Sequence, residues 1–331
     1  MTTTRLLRSV SIAIATAMAV SGALAVGIAH ASAPMVKTSA PGYFRFMLGQ
    51  FEVTALSDGT LLLPIADLLT NLSSTKANQA LAHSFLANPV ETSVNGYLIN
   101  TGDKLVLIDT GAAGLFGPTL GRLRANLIAS GYRSDQVDEI YITHMHPDHI
   151  GGLLAAGKAA FPNAIVRVDQ RDADHWLSPR NLDQAPEQAE RPGVAKQFFS
   201  GPINSLQPYV DAGRLKPFDG DTELMPGIKA VVTRGHTPGH SIYLIESKGQ
   251  KLVLWGDLMH AAAIQFEAPG VTIQFDSDNE VAAGQRKKAY ADAAAQGYLV
   301  GAAHLSFPGL GHLRAQGSGY TFVPMNYTSL P

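Results

Sequence analysis

The segment Thr143-His144-Met145-His146-Pro147-Asp148-His149 packs three histidines and one aspartate into six consecutive residues. In an extended segment alternate side chains point the same way, so His144 and His146 can bind one cation from the same face. Asp148 and His149 lie just beyond and can face a second position. A solvated surface histidine is the ordinary alternative, but it does not account for four ionisable groups in one place. The segment therefore predicts a metal site built from imidazole and carboxylate ligands.

Three later segments share one feature, which is that a polar residue ends a hydrophobic strand. Each is weak alone, because a buried histidine that hydrogen-bonds a carbonyl is commoner than a metal ligand. Together, in this order and spacing, they extend the set of candidate ligands. The segments are Gly235-His236-Thr237-Pro238-Gly239-His240, Leu254-Trp255-Gly256-Asp257 and Ala302-Ala303-His304.

Hydrophobic strands and short turns are predicted around these segments. Val137–Thr143 is apolar and largely β-branched, and it runs directly into the histidine-rich segment. Hairpin turns are predicted at Ser57-Asp58-Gly59 and Thr101-Gly102-Asp103. Other predicted strands are Phe51–Ala55, Leu61–Ile65, Ser93–Asn100, Leu105–Asp109, Ile165–Val168, Ile228–Thr233, Ser241–Glu246, Leu252–Gly256 and Leu299–Ala303. Predicted helices are Thr75–Leu86, Leu120–Ile128, Gln170–Leu177 and Glu280–Ala295.

The composition narrows the class of protein. The 331 residues are 46% hydrophobic and 16% charged, which suits a large globular domain, and strands and helices mix in both halves. Lys and Arg total 25 against 27 Asp and Glu, so the basic surplus that nucleic-acid binding needs is missing. Cysteine is absent, which excludes disulfides, thiolate-bound zinc and a cysteine nucleophile. The polar, proline-containing stretch Ser178–Ala195 is typical of an insertion or lid over a site.

The N-terminal residues have the layout of a secretory signal. Arg5 and Arg8 precede an uncharged run from Ser9 to Ile28, and Ala29-His30-Ala31 offers a small-residue cleavage site. A retained transmembrane anchor is the alternative, but Ala, Ser and Gly dilute the run and no basic flank follows it. We predict that residues 1–31 are a signal peptide and that residues 32–331 form one domain, periplasmic or secreted and without a stable membrane anchor after processing.

The run His144-x-His146-x-Asp148-His149, with His236, Asp257 and His304, resembles the ligand set of the metallo-β-lactamase superfamily. Upstream, Leu107-Ile108-Asp109-Thr110-Gly111 resembles the first motif of the superfamily. The resemblance covers essentially the whole mature chain. It implies an α/β fold, the four-layer αββα metallo-β-lactamase sandwich. Within the superfamily, the stretches Thr92–Gly121, Asp138–Gly152, Gly235–Ser241 and Ala303–Gly309 give the chain a closer likeness to methyl parathion hydrolase and its relatives that cleave lactones and aryl esters.

The same resemblance assigns roles to the candidate residues. It makes His144, His146 and His236 ligands of one metal ion, and Asp148, His149 and His304 ligands of another, with Asp257 bridging the two. Asp109 and His240 would support these ligands. Two Zn²⁺ ions are expected, although manganese, cobalt or iron also suit such ligands. Two metal ions can lower the pKa of a shared water towards about 7. Asp148 and Asp257 would hold and orient that nucleophile as the catalytic carboxylates.

The substrate pocket implied by the resemblance is apolar and aromatic. These side chains suit a small neutral ester or lactone such as dihydrocoumarin. At two positions the chain departs from the phosphotriesterase members, which have an apolar residue in place of His260 and an arginine in place of Leu68. Lactone and aryl-ester hydrolysis is therefore expected to exceed organophosphate hydrolysis; the alternative is a methyl parathion hydrolase with organophosphate triesters as main substrates. The residues assigned to this pocket are Leu68, Phe116, Trp176, Phe198, His260, Ile273 and Phe275.

Other function classes stay open at this point. A nuclease on the same fold is disfavoured by the charge balance. A thiolester hydrolase would want a basic pocket, yet the basic triplet Arg286-Lys287-Lys288 is predicted on a solvated helix face away from the motifs. A metal-binding module without turnover is disfavoured because all seven ligand positions are filled. The family likeness also suggests a homodimer.

Overall fold

The computed structural model of the chain describes residues 33–186, 193–327 and 330. The predicted signal peptide, residues 1–31, lies outside the described residues. Of the described residues, 33–39 fall in one compact unit and those from Ala40 onward in a second, to which the elements below belong. Among the described residues, no helix combines the length and the apolar character needed to cross a bilayer.

Strands and helices follow one another along the described chain. Besides the strands and helices given next, Ser134–Gln136 and Gly151–Leu153 form 3-10 turns. The strands are β1 (Tyr43–Leu48), β2 (Phe51–Leu63), β3 (Val90–Asn100), β4 (Leu105–Ile108), β5 (Glu139–Tyr141), β6 (Leu154–Ala155), β7 (Lys158–Ala159), β8 (Ile165–Arg167), β9 (Thr222–Met225), β10 (Ile228–Val232), β11 (Ser241–Ser247), β12 (Gln250–Leu254), β13 (Leu299–Gly301), β14 (Leu310–Gln316) and β15 (Gly319–Pro324). The helices are α1 (Ile65–Leu68), α2 (Ser74–His83), α3 (Leu123–Ala129), α4 (Pro147–Ile150), α5 (Gln170–Trp176), α6 (Pro179–Asp183), α7 (Val194–Asp211), α8 (Ala262–Gln265) and α9 (Asn279–Gln296).

The strands form two large mixed sheets. The first has the order β1-β2-β3-β4-β5-β8 and the second the order β15-β14-β13-β12-β11-β10-β9, while β6 and β7 pair separately. β4, β5 and β8 run parallel to one another, and so do β12 and β13. Parallel strands end at the same edge of a sheet, so loops that follow them meet there.

Apolar side chains pack the two sheets into a sandwich covered by helices. Between the sheets, Tyr97 and Tyr141 of the first pack with Tyr243 and Leu254 of the second. On the outer face of the first sheet the core includes residues of α3, α5 and α7, and on the outer face of the second it includes Tyr290 of α9. The expected four-layer αββα order is therefore confirmed.

The predicted hairpin turn at Ser57-Asp58-Gly59 is wrong, because β2 continues through it as one strand. The pairing of β2 with β3 shifts register between Ser57 and Gly59, which leaves Asp58 as the extra residue of a bulge. Its side chain turns inward, where its carboxylate accepts hydrogen bonds from the backbone N–H groups of Ala112, Gly121 and Leu123 at 2.9–3.0 Å. A buried carboxylate that satisfies three loop donors replaces the predicted turn.

Two parts of the chain contain more regular structure than the sequence patterns indicated. The hairpin of β14 and β15 completes the second sheet, and the 18-residue helix α7 begins at Val194, where the lid was predicted to end. Within the predicted lid, Pro179–Asp183 forms the short helix α6 and residues 187–192 lie outside the described part.

Candidate metal centre

The candidate ligands lie in loops at one edge of the sandwich. His144 and His146 follow β5, Asp257 follows β12 and His304 follows β13. His236 lies between the antiparallel strands β10 and β11. The edge collects polar residues from both sheets, although they are far apart in the sequence.

His144, His146 and His236, named here the three-histidine cluster, turn their ring nitrogens towards one point. The Nε2 atom of His236 lies 3.2 Å from His144 Nε2 and 3.1 Å from His146 Nδ1. All three side chains are at least 94% buried. Three imidazoles that converge without solvent are an arrangement typical of metal coordination.

Asp148, His149 and His304, named here the Asp148 cluster, lie beside the first group. His149 Nε2 and His304 Nε2 each lie 3.5 Å from Asp148 Oδ2. Both histidines are buried, and the Asp148 side chain is 13% exposed. The ligand atoms of this cluster all lie within 4.8 Å of one another, as do those of the three-histidine cluster with Asp257.

Asp257 lies between the two clusters and contacts both. Its Oδ1 atom is 3.2 Å from His149 Nε2, and its Oδ2 atom is 3.1 Å from His304 Nε2 and 3.4 Å from His236 Nε2. Oδ1 therefore faces the Asp148 cluster, and Oδ2 lies between that cluster and the three-histidine cluster. This is the position that a bridging ligand of two metal ions needs.

The donor atoms fit divalent metal ions. Two ligand atoms that bind one tetrahedral ion at about 2.0–2.1 Å lie about 3.3 Å apart, close to the spacings within the clusters. His149 Nε2 and Asp257 Oδ1 are buried without a hydrogen-bond partner, a costly arrangement unless a ligand satisfies them. The chemistry of the donor set, nitrogen and carboxylate oxygen, suits zinc and similar cations.

The electrostatics favour the protonation states that metal ligands require. Burial, and then neighbouring imidazoles, hold the pKa of His144 and His146 well below the usual value, so both rings keep a free lone pair. Burial alone would raise the pKa of Asp148, but the rings of His149 and His304 outweigh it and lower this pKa to about 2. Neutral imidazoles and ionised carboxylates are the binding forms.

The pKa values of His236 and His149 are raised, unlike those of His144 and His146. Burial lowers the pKa of His236, but hydrogen bonds to Asp257 and Asp276 outweigh it and raise this pKa to about 9. Asp257, Asp148 and Asp109 raise the pKa of His149 in the same way, against the effect of its burial. Metal binding at these two rings must therefore release protons.

Carboxylates contact two of the candidate ligand rings at Nδ1, the nitrogen that faces away from the clusters. Asp109 Oδ2 lies 2.8 Å from His149 Nδ1, and the same carboxylate accepts hydrogen bonds from the backbone N–H and the hydroxyl of Thr143. Asp276 Oδ1 lies 2.9 Å from His236 Nδ1. A carboxylate on the far nitrogen fixes the ring and its tautomer and leaves Nε2 as the ligand atom.

His240 holds the backbone of Asp257. Its Nδ1 lies 2.8 Å from Thr233 Oγ1, and its Nε2 accepts a hydrogen bond of 3.1 Å from the Asp257 N–H. Burial lowers the pKa of His240 to about 3, so the ring is neutral and can accept that bond. His240 thus contacts the backbone of the candidate ligand Asp257. The sequence analysis expected His240 to support a ligand rather than to bind metal.

Asp276 and Arg286 are site residues that the sequence analysis missed. Arg286 was predicted on a solvated helix face, but its side chain is 1% exposed, with Nη2 3.7 Å from Asp276 Oδ2. Its guanidinium also donates to the carbonyls of Leu258 and Val271. Those carbonyls satisfy the buried charge, which explains why this member of the triplet points inward while Lys287 and Lys288 stay exposed. No motif marks Asp276, which lies in the loop between α8 and α9.

A cavity of about 180 Å³ opens onto the clusters. Among its described lining residues there is no Lys or Arg, and five are leucine or phenylalanine. Of the predicted pocket residues, Phe116, Phe198, His260 and Phe275 line it. The remaining lining residues are His146, Asp148, Asp257, His304, Leu61 and Leu63, and the two leucines, on alternate positions of β2, were not singled out from the sequence.

Leu68, Ile273 and Trp176, also predicted in the pocket, lie behind its walls. Leu68 and Ile273 are buried in a separate apolar cluster, against which Phe275 and Leu63 pack. Trp176 is 6% exposed, and its ring meets the edge of His146 at a centroid distance of 5.2 Å. These side chains shape the cavity through the residues in front of them.

His260 is a polar residue of the cavity wall that lies outside the two clusters. Its ring is 4% exposed and stacks on His304 at a centroid distance of 5.1 Å. His260 Nε2 lies 3.0 Å from Asp257 Oδ2, and neither ring nitrogen forms a hydrogen bond of normal geometry. With Asp257 and His304 it forms a third group of possible metal-binding atoms.

Comparisons with known proteins agree with this geometry. A family model described as "Metallo-beta-lactamase superfamily" matches residues 89–317. The curated N-acyl homoserine lactonase AiiA of Bacillus thuringiensis subsp. kurstaki is 27% identical over 202 residues, which cover 55% of this chain and 69% of that protein.

Two solved structures resemble the chain over most of its length. Hydrolase AbOPH, described as in the beta lactamase superfamily, is 35% identical with a TM-score of 0.83, covering 88% of this chain and 100% of the other. AidC, described as a dizinc quorum-quenching lactonase in complex with a product, is 27% identical with a TM-score of 0.79, covering 87% and 99%.

Proposed function

The chain belongs to the metallo-beta-lactamase superfamily, and on that basis we propose that it is a dinuclear-metal hydrolase of lactones and aryl esters, with organophosphate triesters as secondary substrates. Its membership, its His/Asp clusters and its lactonase relatives make it a metal-dependent hydrolase. The observation that carries the finer proposal is a largely apolar cavity that opens onto two clusters, with Asp257 in contact with both.

Two zinc ions are the proposed cofactors. His144, His146 and His236 would hold one, Asp148, His149 and His304 the other, and Asp257 both. Such ions supply a water of lowered pKa and a positive charge that stabilises the oxyanion of the transition state. AidC, which is described as dizinc, supports this assignment.

Asp148 and Asp257 are the proposed catalytic carboxylates. Both line the cavity, and both are ionised because the surrounding imidazoles lower their pKa against the effect of burial. They can accept hydrogen bonds from an attacking water and orient it towards the substrate carbonyl. Neither a serine nor a cysteine nucleophile is needed.

The cavity walls favour a neutral, ring-containing substrate. Phe116 and Phe198 lie on one side with a centroid distance of 6.1 Å, and Phe275 packs beside His260 on another. Aromatic faces bury the apolar part of an aryl ester or lactone. A phenolate leaves with little acid assistance, which suits a wall with few proton donors.

The volume of the cavity and the position of His260 favour esters over phosphotriesters. A tetrahedral phosphotriester carries three ester substituents, whereas a lactone is flat and compact. In about 180 Å³, with His260 and Phe275 at the wall, the flat substrate needs fewer side-chain shifts. The lactonase relatives AiiA and AidC favour the same ranking.

A kinetic panel on metal-quantified protein tests the proposal. The substrates are dihydrocoumarin, an N-acyl homoserine lactone, a p-nitrophenyl ester and methyl parathion. We expect kcat/KM to be highest for a lactone or the aryl ester and lowest for methyl parathion, and chelation to abolish all activity. A higher kcat/KM for methyl parathion would reverse the ranking, and absence of turnover with two metal ions bound would favour a binding module.

The proposal also includes export and a homodimer. Export rests on the signal-like residues 1–31, and the mature protein would act in the periplasm or outside the cell on small neutral molecules, without nucleic-acid partners. The homodimer rests on the family likeness alone.

A further inference from the structure

Asp172 is a buried carboxylate to which the sequence analysis assigned no role. It lies in α5 with no exposed surface. Its Oδ2 atom accepts hydrogen bonds from the Met145 N–H at 2.9 Å and the Thr237 hydroxyl at 3.0 Å, and its Oδ1 atom accepts one from the Gly239 N–H at 2.6 Å. All these donors belong to the two loops that carry the three-histidine cluster.

The donors lie beside the ligands themselves. Met145 separates His144 from His146 in one loop, and Thr237 follows His236 directly in the other. A single carboxylate therefore joins the backbone between two ligands to the residue next to the third. Hydrogen bonds to an ionised acceptor are shorter and stronger than neutral ones, so this junction is rigid.

Helix α5 approaches the second loop too closely for any side chain to intervene. A Cβ atom on Gly239 would lie 2.6 Å from the Asp172 backbone nitrogen and 2.7 Å from Asp169 Oδ1. Asp169 caps the N-terminus of α5 through the Arg171 N–H. Because Gly239 has no side chain, the helix and the loop meet backbone to backbone.

The other end of α5 contacts a ligand ring. Trp176 packs against His146 with an interplanar angle of 74°. One helix therefore fixes the main chain of both loops through Asp172 and the orientation of a ring through Trp176.

We propose that Asp172 is a positioning residue that holds the two loops of the three-histidine cluster at the separation a metal ion needs. It touches neither substrate nor metal, and the inference rests on the proposed metal centre. Among the described hydrogen bonds that Asp172 accepts, none comes from the Asp148 cluster, so the effect is selective for one of the two ions. Removal of the carboxylate weakens that ion's binding and leaves the other ion's affinity unchanged.

The test compares Asp172→Asn with Asp174→Asn, an exposed position on the same helix. An asparagine amide has one acceptor oxygen, so it cannot accept all three hydrogen bonds, and its NH₂ group faces a backbone N–H donor. Each protein is loaded with Co²⁺ and equilibrated against a series of chelator concentrations. Bound cobalt is measured by elemental analysis, and its coordination by visible absorption.

We expect Asp172→Asn to lose one of two ions at a chelator concentration about ten- to a hundredfold lower than the wild type, as is usual when a residue supporting a ligand is removed. The remaining ion and the Asp174→Asn control should match the wild type. Equal retention of both ions in Asp172→Asn, or parallel loss of both, overturns the role of Asp172. A wild-type protein that binds no metal would instead overturn the proposed metal centre, and this inference with it.

Thr237→Val provides a second variant should Asp172→Asn fail to fold. It removes one of the three hydrogen bonds while keeping the carboxylate and the side-chain shape. We expect a smaller weakening of the same single ion. Unchanged affinity for both ions in Thr237→Val would contradict the inference independently.

Discussion

The three-histidine cluster and the Asp148 cluster are held in place in different ways. In the Asp148 cluster the supports act on the rings themselves, since Asp109 contacts Nδ1 of His149 and the Ser93 carbonyl lies 2.9 Å from Nδ1 of His304. In the three-histidine cluster Asp276 likewise contacts Nδ1 of the His236 ring, but Asp172 acts in addition on the backbone of both loops. Ring support fixes which nitrogen binds, whereas backbone support fixes how far apart the ligands lie.

Asp257 is the element common to both clusters, so its loss should have the largest effect. In Asp257→Asn the charge between the clusters disappears, and both ions should bind more weakly. Since metal ions contribute several kcal/mol of transition-state stabilisation, we expect kcat/KM to fall about a thousandfold. Elemental analysis and ester kinetics measure the two losses, and the exposed Asp211→Asn serves as the control. Loss of only one ion would show that Asp257 is not shared.

Asp109→Asn tests the support that acts on a ring. The asparagine oxygen would accept the hydrogen bond from the Thr143 N–H, so its NH₂ group would face His149 Nδ1. Because that NH₂ group is a donor, Nδ1 must then accept a hydrogen bond instead of donating one. The proton moves to Nε2, the atom that faces the cluster. We expect a ten- to hundredfold weaker affinity for the ion of the Asp148 cluster alone, roughly as for other supporting carboxylates. Loss of the same ion in Asp109→Asn and Asp172→Asn would remove the distinction between the clusters.

The pH dependence of stability tests the support that acts on the backbone. Burial raises the pKa of Asp172 to about 6, above the value of about 3.9 for an unfolded aspartate. A raised carboxyl pKa gives a stabilisation that is complete below about pH 4 and is lost as the pH rises through about 6.

The difference in unfolding free energy, wild type minus Asp172→Asn, should therefore shrink by up to about 3 kcal/mol between pH 4 and pH 7. Urea unfolding in the presence of chelator measures it without a contribution from metal release. Asp174→Asn should show no such trend. A difference that grows with pH would mean that the carboxylate is favoured over the acid in the folded state.

The sequence predicted those parts of the site whose chemistry lies in side chains next to strand ends. The histidine run, His236, Asp257 and His304 could be recognised because a polar residue after an apolar strand is conspicuous. Asp109 could be recognised for the same reason. The layered fold followed from strands with matching apolar patterns and from the resemblance that the motifs carry.

The sequence did not predict Asp172, Asp276 or the inward turn of Asp58. Asp172 acts on backbone N–H groups, which every residue but proline has, so its partners carry no signature. Asp276 meets His236 across 40 residues of chain. Asp58 follows a serine and precedes a glycine, a pattern typical of turns, and only tertiary contacts with the loop at Ala112–Leu123 override it.

The bulge at Asp58 has a consequence for how the substrate range of this protein can evolve. Strand β2 carries Asp58 and, three and five residues later, the cavity-lining Leu61 and Leu63. The Asp58 carboxylate holds against that strand the loop that carries Phe116, another residue of the cavity wall. This part of the cavity wall is therefore held rigidly. Adaptation to larger substrates must then proceed by replacing cavity-lining side chains with smaller ones rather than by rearranging the loop.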